Sequence, residues 1–255
     1  MAAPMTDPRL KAWLGFHKLN PNASLRLLCF PYAGGSSQIY REWQKGFPSH
    51  IEVCAIQLPG RGHRLTEPAY TNVHDLVKVA VEELSPIIDR PFALFGHSMG
   101  ALIAYEFAHL LREKRGLQPE HFLVSSRRAP HLPSDYITYN LPEAEFLSEL
   151  SQLNGTPREV LEHPELMQLL MPLLRADFEL IQTYKYTPRP PLNCPLTVIG
   201  GSEDDEVEDE KLAAWREHTT GPFLLQIIPG DHFFINTSRQ NLVELLARRL
   251  ATNDL

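Results

Sequence analysis

The chain is predicted to fold as an α/β protein built on a mostly parallel, doubly wound sheet, and three features carry that expectation. Short apolar runs recur along it: LRLLCFPY (25–32), EVCAIQLP (52–59), FALFGH (92–97), HFLVSS (121–126), LTVIGG (196–201) and LLQIIPG (224–230). Most are apolar throughout rather than alternating, the pattern of strands covered on both faces. Segments with helical periodicity separate them, so strands are joined by crossovers rather than hairpins.

The first strand runs into FPYAGGSSQIY (30–40), whose glycines allow close backbone approach. After the second strand, Val73, Leu76, Val77, Val81 and Leu84 form one helical stripe. After the third, Ile103, Phe107, Leu110 and Leu111 form another. It closes with Arg112, Lys114 and Arg115, which suit the negative helix end, and with Gly116 as the left-handed residue beyond it. Leu242, Leu245, Leu246 and Leu250 mark a last helix.

About seventy residues separate Ser126 from Leu196, far more than one crossover requires. Pro142, Pro157 and Pro164 each fit a first helical position. Phe146, Leu147 and Leu150 follow the first proline; Leu166, Leu169, Leu170, Leu173, Leu174, Phe178 and Ile181 follow the third. The expectation is a single domain over 1–255 with a helical insertion over roughly 131–187. The insertion either adds packing to the sheet or forms a lid over an apolar acyl pocket; its place after the carboxyl end of a strand favours the lid.

Composition narrows the function classes. The formal net charge is −7 and no basic stripe offsets it, which argues against nucleic acid. No uncharged stretch approaches the roughly 18 residues of a membrane span, and no apolar core follows a basic start as in a signal peptide. Cys29, Cys54 and Cys194 lack C-x-x-C spacing and read as packed free thiols of a reducing cytoplasm. No metal or cofactor is expected, and nothing requires more than a monomer.

The chemistry centres on Gly96-His97-Ser98-Met99-Gly100, a G-x-S-x-G placed between a strand and a helix. The flanking glycines admit a sharp turn that lifts Ser98 clear of the sheet, while the new helix directs free N–H groups to where an oxyanion would form. Serine needs a base. Among eleven histidines, His97 is expected to pack beneath the turn, its side chain directed away from that of Ser98. His17, His50, His63, His74, His109, His121, His131, His163 and His218 sit in early, loop or helical-surface contexts. His232 follows the last strand, at the sheet edge where ligands converge, and is the expected base. The order Ser…Asp…His is that of the α/β-hydrolases. The orienting acid is expected in GGSEDDEVED, among Glu203, Asp204, Asp205 and Glu206, with Asp204 and Asp205 not separable by spacing. Asp231, adjacent to His232, would have to fold back on its own backbone.

With these residues the chain resembles the type II thioesterases, stand-alone α/β-hydrolases serving polyketide and nonribosomal peptide synthetases. The resemblance covers nearly its whole length and rests on FPYAGGS, QLPGRG, FGHSMGAL, VSSRRAP, LNGTP, LRADF, GGSEDDEV and GDHFF. It implies Asp204 as the orienting acid, through a G-x-x-D pattern that begins at Gly201, and Ala33 and Met99 as oxyanion donors. Two departures stand out: Ser126 occupies a place where the family usually has glycine, and Asp205 one where proline is common. The implied activity is hydrolysis of acyl thioesters from the phosphopantetheine arm of acyl or peptidyl carrier proteins, clearing stalled or misprimed synthetases. The nearest alternative is a medium-chain fatty acyl-carrier hydrolase working with a fatty acid synthase. A carboxylesterase or lipase is more distant, and a noncatalytic hydrolase-like binding module would predict an altered triad.

Overall fold

Among the described residues, six parallel strands form one sheet in the order β2-β1-β3-β4-β5-β6. They are β1 (Leu25–Phe30), β2 (Ile51–Ala55), β3 (Phe92–His97), β4 (His121–Ser125), β5 (Leu196–Gly201) and β6 (Phe223–Ile228). The computed structural model describes residues 8–15, 19–133, 136–153 and 163–251; the helix start expected at Pro157 and most of the LNGTP stretch lie outside the described residues.

The chain order reverses between β1 and β3, so their carboxyl ends open a crevice at a topological switch point. Phe30 pairs with Gly96 at the ends of these strands, which sets the 31–36 loop beside the turn at Ser98. An isolated antiparallel bridge, Leu14 to Ile56, extends the β2 edge.

Alternate residues of each strand feed two cores, as the strand period of two requires. Leu28, Phe30, Leu94 and Val124 pack with α2 (Val73–Leu84) and α3 (Met99–Arg115), together with α1 (Pro8–Trp13). Leu27, Cys29, Phe95 and Leu123 face Trp43, Leu242 and Leu246 on the other side. Asn72 caps α2 by accepting from the N–H groups of His74 and Asp75, and Gly116 closes α3 at φ 68°.

The insertion holds α4 (Glu143–Gln152) and α5 (Pro164–Gln182), packed through Phe146, Leu150, Met167, Met171 and Leu174. Pro164 opens α5 as expected. Pro142 does not open α4: it stands one residue before, at φ −50° and ψ 150°, and its carbonyl accepts the Phe146 N–H at 2.9 Å. Pro172 sits inside α5, where its ring can neither donate to the helical ladder nor avoid the preceding turn. The short helices α6 (Asp209–Ala213) and α7 (Phe234–Thr237) and the final α8 (Arg239–Ala251) complete the described α-helices. No described helix is long and apolar enough to cross a membrane.

Candidate active site

Ser98 stands between β3 and α3 at φ 51° and ψ −114°, a conformation that costs a non-glycine residue roughly 1–3 kcal/mol. Its neighbours are glycine for a steric reason. A Cβ on Gly96 would overlap the Gly100 backbone, and one on Gly100 would overlap the Phe30 carbonyl oxygen. The Ser98 N–H donates to the Ser125 carbonyl at 2.8 Å, tying the turn to β4. Met99, fully buried, is the first residue of α3, and Ala33, in the loop after β1, lines the same cavity as Ser98. Among the described residues, no hydrogen bond engages the N–H of Ala33 or of Met99.

β5 and β6 deliver the other two groups. His232, 7% exposed, places Nδ1 at 3.1 and 3.0 Å from the two carboxylate oxygens of Asp204. Asp204 also accepts from the backbone N–H groups of Glu206 at 3.0 Å and Val207 at 3.3 Å. Burial raises its pKa, but the bond from His232, that ring's charge, the Ser126 hydroxyl and the Glu206 N–H together hold it below the usual carboxylate value. Asp205 is exposed and among the described residues forms no bond to His232, so the structure brings Asp204 to the ring.

Burial pushes the His232 pKa down, yet the bond to Asp204 and the charges of Glu206 and Asp204 outweigh it and leave the imidazole above its ordinary value. Glu206 was expected among the acids but not in this position: its Oε2 lies 3.8 Å from Nε2, the nitrogen opposite the one Asp204 engages. Its own pKa is raised, burial being the largest cause. His97 is fully buried with Nδ1 2.8 Å from the Ser125 hydroxyl, and burial pushes its pKa down to about 3, so it is neutral packing beneath the turn, as expected.

Ser98 and His232 line one cavity of about 340 Å³, although no hydrogen bond joins them among the described residues. Apo geometries of acid–base pairs are often this open. Leu150, Leu174, Phe178 and Ile181 bring apolar walls from the insertion, while Arg127, Arg128 and Lys211 add positive charge. A larger cavity of about 710 Å³ lies at the opposite strand ends, around Leu25, Pro91 and Pro195, away from these groups.

Two residues here were not singled out by their chemistry. Ser126 leaves β4 at φ 43°, which explains why glycine suits the place; its buried hydroxyl stands by Asp204 without completing a hydrogen bond. Arg127 lines the cavity with a buried Nε that has no hydrogen-bond partner among the described residues, and burial lowers its pKa to about 10. The RRAP stretch was the available signal.

Three comparisons bear on the chain. A family model described as a thioesterase domain matches residues 25–251. The gramicidin S biosynthesis protein GrsT of Aneurinibacillus migulanus is 44% identical over 243 residues, 95% of each chain. The structure of the type II thioesterase BorB from the borrelidin biosynthetic cluster superposes with a TM-score of 0.84 at 34% identity, covering 94% of this chain and 98% of BorB. A medium-chain S-acyl fatty acid synthase thioesterase of Anas platyrhynchos is less similar, 33% identical over 243 residues, 92% of this chain and 96% of its own.

Proposed function

The chain belongs to the thioesterase family, similar through most of its length to type II thioesterases of nonribosomal peptide and polyketide pathways, and from that premise we propose that it hydrolyses acyl thioesters on the phosphopantetheine arm of acyl or peptidyl carrier proteins, releasing aberrant or stalled acyl groups. The observation that carries the catalytic part is that His232, held by the buried Asp204, lines one cavity with a strained Ser98.

In this reading Ser98 Oγ attacks the thioester carbonyl carbon while its proton passes to His232 Nε2. Asp204 keeps the ring's Nδ1–H directed at itself and stabilises the imidazolium. The carbonyl electron pair moves onto oxygen, held by the N–H groups of Ala33 and Met99. Collapse breaks the C–S bond, and the pantetheine sulfur leaves with the proton from His232. Water, deprotonated by His232, then attacks the acyl-serine ester; the free acid departs and Ser98 recovers its proton.

The chain is read as one domain and as a monomer, with the insertion acting as a lid whose Leu150, Leu174, Phe178 and Ile181 receive the acyl chain. The test is a panel of carrier proteins loaded with acyl groups of differing length and polarity, followed by mass spectrometry. Broad unloading of short and aberrant acyl groups supports the editing role; a sharp optimum at medium chain length would assign the protein to fatty acid synthesis instead.

A further inference from the structure

The PGRG turn, the loop after β1 and α5 meet at one buried ion pair. Asp177, on α5, is 1% exposed and Arg61 is 4% exposed. Arg61 donates from Nη2 to Asp177 Oδ1 at 2.7 Å and from Nη1 to Oδ2 at 2.8 Å, a two-pronged pair. The same carboxylate oxygen, Oδ2, accepts the Gly34 N–H at 2.7 Å. The same Nη1 donates to the Gly35 carbonyl at 3.2 Å, while Nε donates to the Pro59 carbonyl at 3.2 Å.

One carboxylate therefore fixes the amide of Gly34 and one guanidinium fixes the carbonyl of Gly35, in the two residues directly after Ala33. The helix also lies directly on the loop. Gly34 sits at φ 73°, and a Cβ there would come within 2.8 Å of Leu174 Cδ2. A buried pair of this kind is weak evidence of a stabilising role, because desolvating two charges offsets most of their attraction. What the arrangement does supply is orientation, since the Ala33–Gly34 and Gly35–Ser36 peptide planes of the loop are each held by one member of a rigid pair.

We propose that Asp177 and Arg61 are positioning residues that aim the Ala33 N–H at the reacting carbonyl, making α5 part of the oxyanion site as well as a wall of the pocket. This rests on the reading of Ala33 as an oxyanion donor. It also means that the α5 segment carrying Leu174 and Asp177 stays seated on the loop during turnover.

The test compares wild type with Asp177→Asn, which keeps the shape but loses the charge, and with Arg61→Lys, which keeps the charge but loses the fork. Three readouts are taken on folded protein: kcat and KM for an acyl thioester, the affinity of an alkylboronic acid, and the melting temperature. The boronic acid adds to Ser98 Oγ as a tetrahedral borate with one oxygen in the oxyanion site. We expect kcat to fall about 10–100-fold with KM within about twofold, and boronate affinity to weaken in parallel. A lowered melting temperature with wild-type kcat and boronate affinity in either folded variant would overturn the inference. Wild-type protein that binds the boronate but hydrolyses no acyl thioester would instead defeat the functional reading while leaving the positioning test intact.

Discussion

Asp204 meets His232 Nδ1 with both carboxylate oxygens, at 3.1 and 3.0 Å, while two backbone N–H groups from residues 206 and 207 hold the same carboxylate in place. A carboxylate so fixed accepts the ring's proton-bearing nitrogen and leaves Nε2 free for chemistry. Asp204→Asn presents an amide in place of that acceptor and disfavours the useful tautomer. We expect kcat to drop by roughly 10³–10⁴-fold, with Asp205→Asn within about twofold of wild type. Steady-state kinetics on both variants checks this; the reverse ranking would move the orienting acid to Asp205.

The strain at Ser98 gives a second prediction, on stability. Glycine adopts φ 51° without penalty, so Ser98→Gly removes the proposed nucleophile and relieves the turn together. We expect no turnover and a gain of roughly 1 kcal/mol, about 2–4 °C in melting temperature for a chain of this size. Ser98→Ala is expected to lose activity without that gain. Calorimetry on the two variants separates the strain from the chemistry.

The pH profile follows from the charges around His232. As the proposed base, His232 works when neutral, and a raised pKa keeps it protonated to higher pH. The acid limb of kcat/KM is therefore expected to have its midpoint above the ordinary imidazole value of about 6.5. Glu206 favours the imidazolium, so Glu206→Gln should move that midpoint to lower pH; a shift to higher pH, or none, would remove Glu206 from the electrostatics of the base.

Acyl preference should depend on the residues of the insertion that face inward. Phe178 lines the cavity and packs on Phe146 with ring centroids 5.4 Å apart, so Phe178→Ala enlarges the pocket and should favour longer acyl groups. Leu166 and Leu169 are 42% and 54% exposed, and their alanine variants should leave chain-length selectivity unchanged. Competition assays with mixed acyl thioesters read both.

Much of this architecture was legible because it is written locally. The apolar runs that became β3 and β5 match their strands residue for residue, and the glycines around Ser98 announce a turn that no larger residue could make. Asp204 and Asp205 could not be told apart by spacing, because the choice depends on which side chain turns inward under β6. The structure supplies what spacing could not: Asp204 accepts from residues two and three ahead, an Asx-type turn. The inward face of α5 was obscured because its leucines continue from the buried Leu173, Leu174 and Leu180 onto the exposed Leu166 and Leu169. Asp177, a charge three residues after Leu174 within that apolar stripe, marked the buried face, but its partners Gly34 and Arg61 lie 143 and 116 residues away and no local pattern names them. Glu206 and Ser126 owe their environments to the same kind of distant convergence.

Ser98 is proposed to carry the acyl group between carrier and water. Intact-mass spectrometry of the protein mixed with an acyl-phosphopantetheinyl carrier tests it most directly. The carrier should lose the acyl mass, a transient adduct of that mass should appear on the wild-type protein at Ser98, and Ser98→Ala should leave the carrier loaded. Unloading of the carrier by folded Ser98→Ala, or a wild-type adduct on another residue, would contradict it.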